Sequence, residues 1–492
     1  MNEEKLTQKL KDNFGFFGIG TLLYSCFYVF CLYKNTSGVT YPFFLIGSLL
    51  FYCLCMRKLE ISLKKDSGFY MAAIVLLGIS TFCTGDGRII AMNKTGIYLL
   101  TASFLLHSYF EDRNWSFFRY FKNIVILGFS WLWQLHRPFT DFKKKENEKN
   151  TVFFILIGLC IGLPLLAIVW MLLMSADAAF GQMSQKLFGE INFSTIFSIC
   201  FRIVLVFFIT YGILAFLCRK KLSDTEAEKK QAEALPAIVV LLPLTVLYMV
   251  FCGIQIVCLF GGAVELEGMT YAQYARKGFF DLLVVCILNL ILVQVGHGCF
   301  RKNTLLNAVM TVMSACTYIM IASSAFRMIQ YIRHYYLTFL RIFVLWFLVV
   351  IAILLTGVII SIYKEGFPLF RYMCVVVTVC YLFLSFAHVD YWIAKCNMTY
   401  VNHTENTFFD TDGRLDFRYL ARLSSDAAPA LAESIRQQET VSADDVQTDN
   451  RYYGINEENW GQYYLDRMDE QYEDMHIRSF NLSKYIAHKV LH

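Results

Sequence analysis

The run Thr338–Tyr363, TFLRIFVLWFLVVIAILLTGVIISIY, contains a single charged residue, Arg341, in a stretch long enough to cross a lipid bilayer. A spanning helix needs about 17–25 apolar residues, because the hydrocarbon core is about 30 Å thick and each helical residue rises about 1.5 Å. Working outward, similar runs occupy Gly15–Tyr33, Tyr41–Met56, Phe69–Cys83, Gly96–Phe110, Val152–Met174, Ser194–Cys218, Ala237–Phe260, Gly278–Val295, Leu305–Ala325 and Tyr372–Phe386. With Thr338–Tyr363 they make about eleven spans, of which the second, third, fourth and last are short. The expected fold is all-α, a polytopic transmembrane bundle.

Composition excludes the alternatives. Hydrophobic residues make up 57% of the chain, charged ones 17%, and there are 45 Phe, more apolar surface than a water-soluble core can hide. Only seven prolines occur and no Gly/Ser-rich tract, so a long flexible linker is not expected. One segment, Trp115–Leu135, reads differently. Ser116, Arg119, Asn123, Ser130 and Gln134 recur at helical spacing and make a polar stripe, which suits an amphipathic helix lying in the interface.

Lys and Arg fall unevenly on alternate loops, and cytoplasmic loops carry the excess. One side collects Lys5, Lys9, Lys11, Arg57, Lys58, Lys64, Lys65, the cluster from Arg113 to Lys149, Arg219 to Lys230, Arg301, Lys302, Lys364 and Arg371. The other has Lys34, Arg88, Lys94, Lys186, Arg276, Lys277, Arg327 and Arg333. The expectation is a cytoplasmic N-terminus, entering by an uncleaved signal anchor, and an extracytoplasmic C-terminus. Most of the 16 cysteines sit inside apolar runs, where Cys behaves as a small hydrophobe.

Residues 397–492 change character, with seventeen Asp and Glu against nine Lys and Arg. Leu415–Leu423 reads as a short helix. Asp426 is placed to cap a second, with Pro429 in its first turn and its end near Gln437; Glu439–Asn450 reads as a linker. Trp460, Tyr463, Tyr464, Met468 and Tyr472 recur at helical spacing, and Leu482–Leu491 is a last amphipathic helix. Large apolar residues are sparse, so this small helical domain is expected to dock on the membrane part, its acids facing Arg276, Lys277, Arg327 and Arg333. The organisation then reads as a four-span region (1–110), a cytoplasmic interfacial helix with a basic loop (111–151), a seven-span core (152–396) and an acidic outer domain (397–492).

Five strings in order resemble the bacterial membrane family called domain of unknown function 4173. They are Leu172–Phe180 with Ser175-Ala-Asp177; Phe251–Leu282 with Gln255, Tyr274-Ala-Arg276 and Asp281; Ala325–Trp346 with Arg327, Tyr331, Tyr336-Leu-Thr338 and Arg341; Asp390–Asn397; and Leu415–Leu431 with Tyr419 and Pro429. The sequence departs from that pattern at Tyr335, where Gly is usual, and at Cys396, where Tyr is. The resemblance implies a location in the bacterial plasma membrane and no particular activity.

Polar residues where polarity is costly are the candidate functional groups. Arg202, Gln255, Asp281 and Arg341 fall in or near the outer half of spans, and Asn289 near the middle of its span. Arg202 or Arg341 could pair with Asp281 only to satisfy a charge, or the set could form a substrate or ion site. Asp177, Tyr271, Tyr274, Arg276, Lys277, Arg327, Arg333, His334, His388 and Asp390 gather at the outer surface, as interfacial anchors or as an anionic headgroup site. His388 and Asp390 lack a third metal ligand. Asp410-Thr-Asp-Gly413 reads as a turn, Gly85-Asp-Gly87 as a hairpin between spans, Gly158/Gly162 as close helix packing, and Lys143–Lys149 as a topology signal.

No complete catalytic, cofactor, metal or nucleotide motif occurs, and no nucleic-acid patch. Three functional readings stay open. A non-enzymatic envelope sensor, scaffold or accessory subunit leads, with membrane lipids and an envelope protein as partners through the outer domain. A transporter of a small or lipidic solute and a transferase acting on lipid-linked substrates are the alternatives, the latter resting on His388 and Asp390.

Overall fold

A computed structural model describes residues 3–111, 115, 117–142, 193–219, 232–261, 271–364, 366–402, 416–442 and 459–492, with isolated positions between 158 and 177. Among them helices are the only regular structure apart from one isolated bridge between Ala232 and Phe300. Nine described helices are long and apolar enough to cross a membrane, and Ser67–Cys83 is a tenth, shorter apolar helix of 17 residues. The expected span Val152–Met174 lies for the most part outside the described residues. The chain divides into two compact units, one of Met1–Phe82, Ala91–Thr225 and His476–Asn481, the other of Cys83–Ile90, Glu226–Met475 and Leu482–His492. This partition follows packing, not membrane side.

The first unit holds α1 (Glu3–Asp12), α2 (Phe14–Leu32), α3 (Thr40–Lys58), α4 (Ser67–Cys83, up to Phe82), α5 (Gly87–Tyr109, from Ala91), α6 (Phe117–Trp133), α7 (Arg137–Phe142) and α8 (Phe193–Cys218). Helices α2 and α8 run antiparallel: the Phe14 ring lies 5.8 Å from Tyr211, while Arg202, at the other end, lies 5.4 Å over Tyr33. Tyr24 of α2 stacks on Phe51 of α3 at 4.7 Å and shares a hydrogen bond of 3.0 Å with Ser48. Leu23, Phe43 and Leu50 stay outward, each at least 60% exposed, which only a hydrocarbon surround accommodates.

One end of this unit is marked by the N-terminal helix. Lys9 pairs with Glu60, Thr7 Oγ1 donates to the Cys218 carbonyl at 3.5 Å, and Lys64 donates to the Phe110 carbonyl. The opposite end holds the C-terminal stretch His476–Asn481. There the Val39 N–H donates to the Phe480 carbonyl at 2.8 Å, and Asn35 Nδ2 to that of Arg478 at 2.9 Å. Gly38 permits this approach, since a Cβ on it would lie 2.3 Å from the Arg478 carbonyl oxygen.

Helix α6 turns part of its polar stripe into the protein: Asn123, Ser130 and Gln134 are buried, while Phe121, Phe129, Leu132 and Trp133 are exposed. Trp115, just before the helix, packs 6.1 Å from Phe110, and Gln134, just after it, accepts from Arg219 at 3.4 Å. Both flanks therefore meet the end of the unit that holds α1. The polar atoms turn toward neighbouring helices, where partners exist; Tyr120, for example, donates to the Ser103 carbonyl at 3.3 Å.

The second unit contains α9 (Ala234–Gly261), α10 (Tyr271–Cys299), α11 (Thr304–Tyr335), α12 (Phe339–Tyr363) and α13 (Leu369–Phe386). Helices α10 and α11 pack most extensively, around Cys286, Met310, Met313 and Val293. Asn303 starts α11 by accepting from Leu305 N–H at 2.8 Å. Beyond α13 follow α14 (Val389–Asn402), α15 (Phe417–Leu420), a 3-10 turn (Ser425–Ala427), α16 (Ala428–Ser442), α17 (Trp460–Glu473) and α18 (Leu482–Leu491). Trp460, Tyr464 and Met468 face inward from α17, as their spacing predicts, while Tyr463 stays 47% exposed. Helix α16 starts one residue before Pro429 as expected but continues to Ser442, into the expected linker; the rest of that linker lies outside the described residues.

The antiparallel path from α1 to Gly38 predicts opposite membrane sides for the N-terminus and the His476–Asn481 stretch. An enzyme active only in the cytoplasm, fused after Lys145 or Lys229, is expected to report, and the same fusion after Asn406 or His492 to be silent. Activity at His492 would overturn the arrangement.

Candidate functional site

Three carboxylates are buried at the join between α4 and α5 and the segment after α13. The string Thr84-Gly-Asp-Gly-Arg88 supplies one side. Asp86 precedes α5 and accepts from the Arg88 backbone N–H at 2.8 Å, a helix cap, and from Arg88 Nε and Nη2, each at 2.9 Å. Arg88 Nη2 also donates to Asp390 Oδ1 at 2.6 Å, and its guanidinium lies 3.9 Å over the Phe339 ring. Asp390 Oδ2 accepts from the Ser424 N–H at 3.0 Å.

Asp426 closes the other half. Its Oδ1 accepts from the Gly85 N–H at 2.9 Å and from Ser483 Oγ; its Oδ2 accepts from Thr84 Oγ1 and lies 3.4 Å from His388 Nδ1. Ser425 and Ser483 share a further hydrogen bond of 2.8 Å. Gly85 is required here, since a Cβ would sit 1.8 Å from Ser425 Oγ. Asp426 was expected to cap a helix; it instead lies inside the 3-10 turn Ser425–Ala427 and gives its charge to the Thr84–Gly85 backbone turn and Ser483. All six carboxylate oxygens of Asp86, Asp390 and Asp426 are engaged.

Burial alone would push the Asp426 carboxyl up, but hydrogen bonds from His388, Ser483, Thr84 and Gly85 outweigh it and hold it below its ordinary 3.8. The same bond to Asp426 raises His388 above its ordinary 6.5 against the opposing effect of burial. Asp390 moves the other way: burial and then the neighbouring Asp86 raise it above 3.8, more than Arg88 lowers it. His388 adopts a left-handed backbone, φ +46°, which costs a residue with a Cβ and persists where packing fixes it.

The α11–α12 connection is locked from the same direction. Tyr336 has φ 62° and ψ 175°, a region close to glycine-only. Arg341 donates to the carbonyls of Tyr335 and Tyr336 and lies 4.4 Å over the Tyr331 ring. Asn397 pairs with both backbone groups of Leu337 at 3.0 Å each, and Tyr419 Oη accepts from the Phe339 N–H at 2.8 Å. The strained residue is thus one position after Tyr335, where a missing glycine was expected.

The sequence-derived candidates scatter. Gln255 Oε1 is buried and accepts from Ser323 Oγ at 2.8 Å and Arg327 Nη2 at 3.0 Å. Arg327 is therefore a buried group in α11 and does not face the acidic segment from a loop. Asn289 Nδ2 donates to Thr317 at 3.0 Å, leaving its fully buried Oδ1 with no hydrogen bond among the described residues. Arg202 and Asp281 belong to different units, and Arg341 serves the local lock. His388 and Asp390 do not act as a pair: the first binds Asp426, the second Arg88 and Ser424. The side chains of Tyr271, Tyr274, Arg276, Lys277 and His334 lie outside the described residues. Sequence reasoning missed Asp86, Arg88, Thr84 and Ser483 as a site; the one available signal was five polar or small residues packed between two apolar runs.

The fold defines a polytopic helical membrane protein with a helical C-terminal extension. A family model matches residues 71–434, more than half of the chain, which belongs to the family described as Domain of unknown function (DUF4153). The resemblance to family 4173 is corrected accordingly: an uncharacterised membrane-spanning family stands, under a different number. The match includes Asp86, Arg88, His388, Asp390 and Asp426 but ends before Ser483. No curated protein and no solved structure matches the chain.

Asp426→Ala orphans four buried or half-buried partners and is expected to cost about 3–5 kcal/mol, read as a lower melting temperature in detergent and earlier proteolysis after Asn402. With His388 raised, its contribution is complete below pH 6.5 and is lost as pH rises through the raised value. With Asp426 lowered, its contribution is present above pH 3.8 and is lost as pH falls through the lowered value; protonation of Asp390 blunts that acid loss. Melting temperature is therefore expected to peak between these limits, and His388→Gln to flatten the alkaline limb. At the other lock, Tyr336→Gly is expected to melt higher than Tyr336→Ala by about 1 kcal/mol in stability, since both lose the ring and only Gly relieves the backbone.

Proposed function

We propose that this protein is a non-enzymatic component of the bacterial envelope, a sensor or scaffold whose helical C-terminal segment is held against the outer face and offered to a partner protein. The observation that carries the reading is the complete engagement of Asp86, Asp390 and Asp426 in closing that segment onto the Thr84–Arg88 turn. An active site needs acid or base groups aimed at a substrate; these carboxylates are aimed at one another's elements. His388, half-exposed, gives the closure a titratable group whose proton the bond to Asp426 holds more tightly than usual, which suits a sensor. Tyr463, Tyr485 and Ile486 leave apolar surface exposed on α17 and α18, outside the apolar spans.

A photo-crosslinker placed at Tyr463, Tyr485 or Ile486 in cells is expected to capture one envelope protein, with capture reduced by Asp426→Ala. Labelling confined to lipid at all three positions would sink the scaffold reading.

Transport is the second reading, favoured by the Asn289 Oδ1, which has no hydrogen bond among the described residues, and the Ser323–Gln255–Arg327 group inside the bundle. The two readings part at Asn289→Leu. If Asn289 is structural, removing its unbonded oxygen leaves the melting temperature equal or higher and crosslinking intact. Loss of the cellular phenotype with stability and crosslinking preserved would move transport ahead.

A further inference from the structure

Helices α17 and α18 place three donor atoms together away from the carboxylate cluster. His488 and His492 are four residues apart, so their rings share one face of the last helix and its end. Asp469 reaches the same point from α17: its Oδ1 lies 3.2 Å from His488 Nδ1 and 2.8 Å from His492 Nε2. All three donor atoms lie within 4.8 Å of one another. In a tetrahedral zinc site with bonds of about 2.0–2.1 Å, ligand atoms stand roughly 3.3 Å apart, so the His488 spacing already fits and the His492 spacing needs to lengthen by about 0.5 Å.

The surroundings hold these donor atoms in place. The Tyr472 ring stacks on His488 at 3.8 Å and 10°, fixing the imidazole plane. Arg436 Nη2 donates to the Val490 carbonyl at 2.7 Å and ties the last turn of α18 to α16. The three ligand side chains are 33–50% exposed, leaving water room to complete a coordination sphere. Two imidazoles and one carboxylate form an N,O donor set suited to borderline divalent ions and poorly suited to calcium or magnesium, which take oxygen.

We propose that Asp469, His488 and His492 bind one zinc-class divalent ion, with water in the remaining position. The ion joins α17 to α18 outside the membrane-spanning helices and so stiffens the segment that carries Ser483. Without it, the same atoms form two histidine–aspartate hydrogen bonds, the competing arrangement that the test must separate.

Full-length protein, purified without a histidine tag and stripped with chelator, is titrated with Zn2+ and, separately, Co2+. One Zn2+ per chain is expected to bind, with a visible Co2+ absorption band and a higher melting temperature in Zn2+. Asp469→Asn keeps the shape and a hydrogen-bond acceptor, and is expected to weaken binding by roughly tenfold or more, as is His488→Ala. Asp466→Asn, one turn away and bonded to Gln462, is expected to bind as the parent does. Absence of saturable binding, or affinity unchanged in Asp469→Asn and His488→Ala, would overturn the site. An equal loss in Asp466→Asn would do the same, since it would mark general acidity as the cause.

Discussion

A carboxylate taken out of water must find its hydrogen bonds inside the protein, and Asp426 does so by drawing four elements together. The Thr84–Gly85 turn, His388 after the last span, Ser483 at the start of α18 and the 3-10 turn that carries Asp426 itself all meet at two oxygens. Each partner is distant in sequence, so the closure forms only once these segments have been brought together within the second unit. The energetic logic is asymmetric. A closed network contributes modestly, whereas a missing partner leaves a buried charge or donor that costs several-fold more. Asp390 and Asp86 apply the same constraint to Arg88, which must satisfy both while lying on Phe339.

That arrangement draws on stretches that lie far apart in the sequence. Arg341, Leu337, Asn397, Asp390, Tyr419 and Ser424 come from three separated strings, and all serve one corner of the second unit. The corner contains two non-glycine residues in left-handed backbone, Tyr336 and His388. Strain of that kind persists only where neighbours over-determine the conformation, and here Asn397, Arg341 and Asp426 do so. A corner locked in this way holds the start of the helical extension in one orientation within the second unit, which is what the proposed scaffold or sensor role would need. A cation between α17 and α18 would extend the same rigidity beyond Ser483, with different chemistry at a separate place.

The spans themselves were legible in the sequence because hydrocarbon imposes a simple rule. A helix in lipid needs a minimum apolar length, and residues such as Leu23 and Phe383 that stay exposed must be apolar wherever they point. Even the short run at Ser67–Cys83 obeyed it. Helix α6 shows the limit of that rule: its stripe of Asn123, Ser130 and Gln134 was visible, but whether a polar stripe seeks water or protein depends on what lies beside it. The same holds for Arg327, which charge counting put on a loop and packing put against Gln255.

Sequence by itself determined the class of protein, ten of the apolar helices now described and the spacing of α17 and α18, because each follows from local length and periodicity. Only the tertiary structure decided what the buried polar residues do. Asp426 looked like a helix cap, Gly85-Asp-Gly87 like a plain turn, His388 and Asp390 like a pair, and Asp469 had no visible relation to His488 and His492. In each case the partner lies in another part of the chain, from 19 residues away for Asp469 and His488 to 342 for Thr84 and Asp426. Electrostatic and hydrogen-bond energies fall off over a few ångströms, so such pairings exist only after folding has closed those distances.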